Sequence, residues 1–363
     1  MEYVQERVAT LHDFTDPVPD APVERAAVVV PMTEREHASL AAERVLNTLE
    51  TVGPARVVIA LRADESRAGA IREWLSGFDL PLEIVWCDGP RVTSLLADAG
   101  LDGRRGKGRD VWLALGIAAE SEYVVLHDAD TKSYARSHVP RLLFPLSHGF
   151  DFSKAFYARV ENDRLYGRLF RLFYAPLVRA LADAHDADVL DYLGAFRYAL
   201  AGEFAATREV ARSLQLQRGW GLEVGTLGDA FAAAGIDGTA QVDLGRHEHD
   251  HRAVGGPSGL GTMSEEVGAA LLRVVESGGV EPDYDTLRER YRAAAEPFLR
   301  GYATDAAFNG LDYDRAGERE QVGEYAAAIE PPGTDTRLPA WADAPVTVAE
   351  VRAAAREDLE ALR

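Results

Sequence analysis

Lysine, cysteine and long apolar runs are nearly missing from this chain. Of its 39 basic residues only Lys107, Lys132 and Lys154 are lysines, and 59 acidic residues leave a formal net charge of -20. Such a surface repels nucleic acid and anionic membranes, so neither is an expected partner. The single cysteine, Cys87, excludes an internal disulfide and a cysteine cluster for zinc or iron–sulfur. Its neighbours Ile84, Val85 and Trp86 assign it to the core. No stretch approaches the roughly 20 apolar residues of a membrane span. The charged N-terminus lacks the apolar segment of a signal peptide. A cytoplasmic protein is therefore expected. Acid-rich, lysine-poor surfaces suit a cytoplasm of high salt, where self-repulsion is screened and hydrated carboxylates maintain solubility. A GC-rich genome would explain arginine over lysine, but not the excess of Asp and Glu.

What is present is a regular alternation. Residues 26–30, ending at Pro31, are a short β-branched apolar run of the kind found in a parallel strand buried on both faces. A helix over 37–52, a strand over 56–61, a helix over 68–77 and a strand over 82–87 follow. The order β-α-β-α-β calls for a parallel sheet with right-handed crossovers. Helices over 92–99 and 108–119 lead to a fourth strand at 123–126. Further on, the spacing predicts a helix over 137–146, a strand over 152–159 and an arginine-bearing amphipathic helix over 165–184. Helices over 208–214, 222–234 and 263–277 come next. From Pro282 onward, Ala, Glu, Arg and Tyr at helical spacing read as a helical appendage. The expected organisation is an N-terminal arm over 1–20, an α/β catalytic domain over 21–255 and a helical extension over 256–363.

The tetrad His127-Asp128-Ala129-Asp130 directly follows the fourth strand. Side chains alternate along a strand, but once the chain turns, Asp128 and Asp130 can reach one hard cation, which would bridge the diphosphate of a nucleotide-sugar. An Asp-x-Asp arises by chance in most acidic chains; its place after a strand gives it weight. Gly106-Lys107-Gly108 precedes a helix, where glycines admit close backbone approach, N–H groups favour an anion and Lys107 supplies a point charge. The spacing is not that of a P-loop, so a nucleotide triphosphatase is not expected. A solvated basic turn is the plain alternative.

Three further constellations bear chemistry. In Gly245-Arg246-His247-Glu248-His249-Asp250-His251, His249 is the candidate to complete a metal shell, while His247 and His251 read as an exposed polar strand end. Glu223, in Gly219-Trp220-Gly221-Leu222-Glu223, is either a helix N-terminal charge or a group that orients a sugar and steadies positive charge at a glycosyl centre. Lys154, Arg159, Arg164, Arg168 and Arg171 cluster as an anionic pocket would require. Arg164 and Arg171 read as ion pairs with the abundant carboxylates.

Taken in order with Lys154-Ala155-Phe156-Tyr157, Leu200-Ala201-Gly202-Glu203-Phe204-Ala205 and Ala240-Gln241-Val242-Asp243-Leu244-Gly245, these motifs resemble the glucosyl-3-phosphoglycerate synthase family from about Ala26 to His251. The resemblance implies a GT-A-type, Rossmann-like nucleotide-sugar-binding sheet, with a donor half to about residue 130 and an acceptor half beyond it. It also implies a retaining transferase that moves glucose from an NDP-glucose to 3-phosphoglycerate with Mg²⁺ or Mn²⁺, and a homodimer. Asp130, His249 and Asp128 are implied as metal ligands. Pro31, Glu34, Lys107, Asp128, Ala129, Asp130 and Glu223 are implied at the donor, with Glu223, Asp130 and Lys107 catalytic. Lys154, Gly167, Arg168 and the backbone at Leu200, Ala201 and Gly202 are implied at the acceptor.

Two positions depart from the family pattern. Pro31 leads into Met32-Thr33-Glu34-Arg35-Glu36 where the family has Pro-x-x-Asn-Glu, and Phe170 stands where it has an acceptor-binding threonine. A transferase of the same type using GDP-mannose or another anionic acceptor is therefore an alternative. A sugar nucleotidyltransferase and a non-catalytic nucleotide-sugar-binding protein are further rivals.

Overall fold

The computed structural model describes residues 6–12, 18–161, 163–248 and 257–362. Its strands are β1 (Ala9–Leu11), β2 (Ala26–Thr33), β3 (Arg56–Arg62), β4 (Leu82–Trp86), β5 (Tyr123–Leu126), β6 (Phe152–Ala158), β7 (Val160–Glu161), β8 (Arg164–Leu165), β9 (Phe204–Thr207) and β10 (Thr239–Arg246). Its helices are α1 (Leu40–Val52), α2 (Glu65–Leu75), α3 (Pro90–Asp98), α4 (Lys107–Ala118), α5 (His138–Leu146), α6 (Ala175–Ala182), α7 (Asp188–Ala195), α8 (Arg208–Ser213), α9 (Leu222–Ala234), α10 (Pro257–Ser277), α11 (Tyr284–Phe308), α12 (Arg315–Tyr325) and α13 (Val348–Ala361).

Among the described residues, eight strands form one sheet in the order β1-β10-β6-β9-β5-β2-β3-β4, and β7 pairs with β8 in a separate hairpin. The first four expected strands lie side by side and parallel, as their β-branched runs predict. Ala27 and Val29 of β2 pack into one apolar layer, and Val28 and Val30 into the other, so both faces of the strand are covered. Cys87 lies in the first layer, fully buried. The expectation of a parallel sheet needs one correction: β9 runs antiparallel to β5 and β6. This reversal decides the site, because the loop entering β9 arrives at the edge where β5 ends. Leu126 of β5 and Lys154 of β6 are both in register with Phe204, the first residue of β9. The N-terminal arm contributes β1, an edge strand paired with β10.

The helix expected over 165–184 is also corrected. Strand β8 occupies its start, Leu169–Tyr174 forms a widened, π-type turn, and regular helix begins only at Ala175. Pro176 explains the slip, since it has no N–H for the carbonyl of Leu172 four residues earlier. Tyr291 of α11 serves that carbonyl, its hydroxyl donating at 2.6 Å.

Residues 257–362 do not stand apart from the sheet. Trp341 stacks on Trp112 of α4 with ring centroids 4.3 Å apart; each indole N–H donates at 2.7 Å, Trp112 to the Pro339 carbonyl and Trp341 to the Trp112 carbonyl. Gly116 leaves the space that Trp341 fills. Helix α4 is consequently buried from Gly108 to Ala118: residues 111–118 are apolar on every face, and Arg109 and Asp110 are buried as an ion pair at 2.9 Å. At the other end of this segment, Asp358 of α13 accepts at 3.0 Å from the backbone N–H groups of Arg91 and Val92, capping α3. Among the described residues, no helix is long and apolar enough to cross a membrane.

Candidate active site

The C-terminal edge of the parallel strands collects the charged motifs, the usual place for ligands in an open α/β sheet. Lys107 is the first residue of α4, Asp128 lies two residues past β5, and Glu223 is the second residue of α9. Separated by up to 116 positions, they meet: Lys107 Nζ is 2.6 Å from Asp128 Oδ1 and 3.6 Å from Glu223 Oε1. Burial disfavours the ammonium, but Asp128 and Glu223 outweigh it and hold Lys107 protonated well above its ordinary range. Gly202 completes this corner. A Cβ there would stand 2.8 Å from Asp128 Oδ2 and 3.2 Å from Lys107 Nζ, so the backbone approaches as only glycine allows.

The glycines flanking Lys107 also meet a packing demand. A side chain at Gly106 or Gly108 would run into the carbonyls of Arg218 and Gln217 respectively. They admit the neighbouring chain and thereby seat the first turn of α4.

Lys154 is fully buried and donates to the Ala201 carbonyl, tying β6 to the loop that carries Gly202. Burial pulls its ammonium down to about 8, partly offset by Glu223 and Glu203 and deepened by Lys107. Glu203 is a member of the site that sequence reasoning passed over. It is 0% exposed, 3.6 Å from His247 Nε2, and its charge acts on both Lys107 and Lys154. The available signal was a lone carboxylate at the start of the otherwise apolar run Phe204-Ala205-Ala206. His247 is a correction: it is not an exposed strand end but is 0% exposed, its ring stacked 3.9 Å from Tyr157. His127, also missed, is buried with both ring nitrogens unpartnered, beside Tyr134 and His138. Burial and His138 push it well below its usual range, so it is a neutral ring under the Asp128–Asp130 turn.

Asp128 and Asp130 both leave the end of β5, and Ala129 between them is buried. Two carboxylates suit Mg²⁺ or Mn²⁺, hard cations that take their remaining ligands from water and phosphate oxygens. Among the described residues no cluster of three metal-ligating side chains forms, and His249 and His251 lie outside those residues. Pro31 and Glu34 sit at the end of β2. Glu34 turns toward the next strand's loop, accepting from the Asp64 N–H at 3.4 Å.

Of the residues expected at an acceptor, Gly167 has φ of 76° and Arg168 follows it, its side chain 51% exposed and 3.8 Å from Glu318. Arg171 takes both oxygens of Glu318, at 3.0 and 2.7 Å, and Arg164 lies 3.8 Å from Asp312. Those two arginines are ion-paired, as expected. Leu200 and Ala201 lead into Gly202 along the entry to β9.

A glucosyl-3-phosphoglycerate synthase of Methanococcoides burtonii is 34% identical over 386 aligned residues, covering 97% of this chain and 96% of the relative. The chain belongs to the glucosyl-3-phosphoglycerate synthase family. A second member, from Persephonella marina, is 35% identical over 76% of this chain and 72% of its own length. The family's solved structures agree in fold. The Mycobacterium tuberculosis synthase in complex with Mn²⁺, UDP and phosphoglyceric acid matches with a TM-score of 0.56 and 27% identity, over 76% of this chain and 88% of that one. The same enzyme has also been solved with Mg²⁺ and UDP, with a TM-score of 0.55, 27% identity and coverage of 76% and 88%. No family model matches the chain.

Proposed function

We propose that this protein is a metal-dependent retaining glucosyltransferase that moves glucose from UDP-glucose to 3-phosphoglycerate, giving glucosyl-3-phosphoglycerate. The observation that carries the reading is the meeting of Lys107, Asp128, Glu223 and the Gly202 backbone at the end of β5, in a member of this family.

Asp130 and Asp128, with His249, would hold Mg²⁺ or Mn²⁺, which when bound offsets the charge of the departing diphosphate. Lys107 anchors the donor, its cation already fixed between two carboxylates. Pro31, Glu34 and Ala129 line the approach of the nucleotide. Glu223 places the glucosyl unit and steadies positive charge at C1 as the bond to the diphosphate oxygen lengthens. The acceptor hydroxyl attacks C1 from the face the diphosphate leaves, and its proton passes to the leaving oxygen, so configuration is retained. Lys154, Gly167, Arg168 and the backbone of Leu200, Ala201 and Gly202 hold the acceptor. A saline cytoplasm and a compatible-solute product fit the acidic surface and this chemistry, and the helical C-terminal segment would support the homodimer that the family resemblance implies.

The test incubates the protein in molar KCl with Mg²⁺, donor panels of NDP-glucose and NDP-mannose, and 3-phosphoglycerate, following NDP release and product mass. Acceptor-dependent glucosyl-3-phosphoglycerate is the expected outcome; NDP release that ignores the acceptor would overturn the assignment.

A further inference from the structure

Tyr198 is where three separate pieces of the acceptor side meet. Its hydroxyl accepts a hydrogen bond from Arg159 Nη1 at 3.2 Å. Gly167 lies so near that a Cβ there would stand 3.2 Å from Tyr198 Cε2 and 3.4 Å from its hydroxyl oxygen. Phe170 meets the same ring edge-on at 5.2 Å, and Tyr157 lies 5.2 Å away on another side. Phe170 is itself stacked on Tyr174 at 5.5 Å. The phenol is thus flanked by two rings, and its oxygen is presented to Arg159 and to the Gly167 turn together.

Arg159 directly follows β6, the strand that carries Lys154, and is half-buried. Its partner Tyr198 leads directly into the reaction centre: the Tyr198 carbonyl accepts from the Ala201 N–H at 3.2 Å, and the next residue, Gly202, packs against Asp128 and Lys107. Phe170 offers no hydrogen-bonding atom, so polar recognition at this spot falls to Arg159, Tyr198 and the Gly167-Arg168 backbone.

We infer that Arg159, held by the Tyr198 hydroxyl beside Gly167, is a second cation that binds the anionic group of the acceptor, with Tyr198 as its positioning residue. A guanidinium is a planar fork matched to phosphate and carboxylate, and holding it in place reduces the entropy lost on binding. The inference rests on the reading above that an anionic acceptor binds at this edge.

The experiment compares wild type with Arg159→Gln, Arg159→Lys and Tyr198→Phe. Initial rates are measured against 3-phosphoglycerate and against UDP-glucose, with calorimetric binding of 3-phosphoglycerate in the presence of Mg²⁺ and UDP, and Tm as the control for folding. Loss of a charged hydrogen-bonding partner predicts an acceptor KM about tenfold to a hundredfold higher in Arg159→Gln, with the UDP-glucose KM unchanged. Arg159→Lys should recover part of the loss. Tyr198→Phe should raise the acceptor KM about threefold to tenfold, again sparing the donor. An acceptor KM in Arg159→Gln equal to that of wild type would overturn the inference. So would donor and acceptor constants that rise together with a lowered Tm, which is the signature of a structural role. A wild-type protein that turns over no 3-phosphoglycerate would instead overturn the assigned activity. The calorimetry then decides this inference: binding lost in Arg159→Gln supports it, and binding retained, or absent from wild type, rejects it.

Discussion

The proposed donor corner and the proposed acceptor corner share one sheet edge but are built in opposite ways. At the donor corner each charged group sits within two residues of a regular element's end, and the charges compensate one another before any substrate arrives: Lys107 lies between Asp128 and Glu223. At the acceptor corner Lys154 is fixed in strand β6, but the other groups come from beside a hairpin, a widened helical turn and the loop into an antiparallel strand. Arg159 Nη1 donates to the Tyr198 phenol, and Arg168 lies 3.8 Å from Glu318. A diphosphate with its cation is common to every nucleotide-sugar, so the rigid corner suits the invariant partner. The irregular corner is where a change such as Phe170 alters which anion is accepted at little cost to the fold.

Breaking the donor corner should have the largest effect. Asp130→Ala is expected to lower kcat by about a thousandfold or more with Tm unchanged, because it removes charge stabilisation of the leaving diphosphate and leaves the apolar layers intact. Near-normal turnover in that variant would remove Asp130 from the metal site.

A smaller effect sharpens the contrast through pH. Lys154 loses its proton near pH 8 in the folded protein, below its ordinary value of 10.5. The kcat/KM for the acceptor should fall about tenfold per pH unit above that point, and Lys154→Arg should shift this limb upward. Stability moves the other way. Between about pH 8 and 10.5 the unfolded chain retains a proton that the folded chain has released, so Lys154 makes the protein more stable as pH rises across that window. Parallel loss of activity and Tm on the alkaline side would show that the limb reports unfolding rather than Lys154.

The smallest effect on chemistry belongs to the C-terminal segment. Trp341→Ala should cost about 3–5 kcal/mol of stability, measured by denaturant unfolding, through the cavity left against Trp112 and Gly116. The acceptor and donor KM values of the folded fraction should remain at wild-type level. A selective rise in the donor KM would mean that α4 needs this packing to aim Lys107.

The amino-acid sequence by itself determined the parallel half of the sheet, the burial of Cys87, the strand-end position of Asp128 and Asp130 and the helix starts that carry Lys107 and Glu223. These follow from local rules: β-branched runs make strands, and caps and glycines mark helix ends. Only the tertiary structure decided that Gly106 and Gly108 make room for Gln217 and Arg218, that His247 is a buried ring against Tyr157, and that Leu169–Tyr174 is not regular helix. The same holds for Glu203, whose charge acts on both lysines, and for Tyr198 between Arg159 and Gly167. Each of these depends on a partner far away in the chain. A helical or strand period records which side of an element faces the core, but carries no record of which other element lies there.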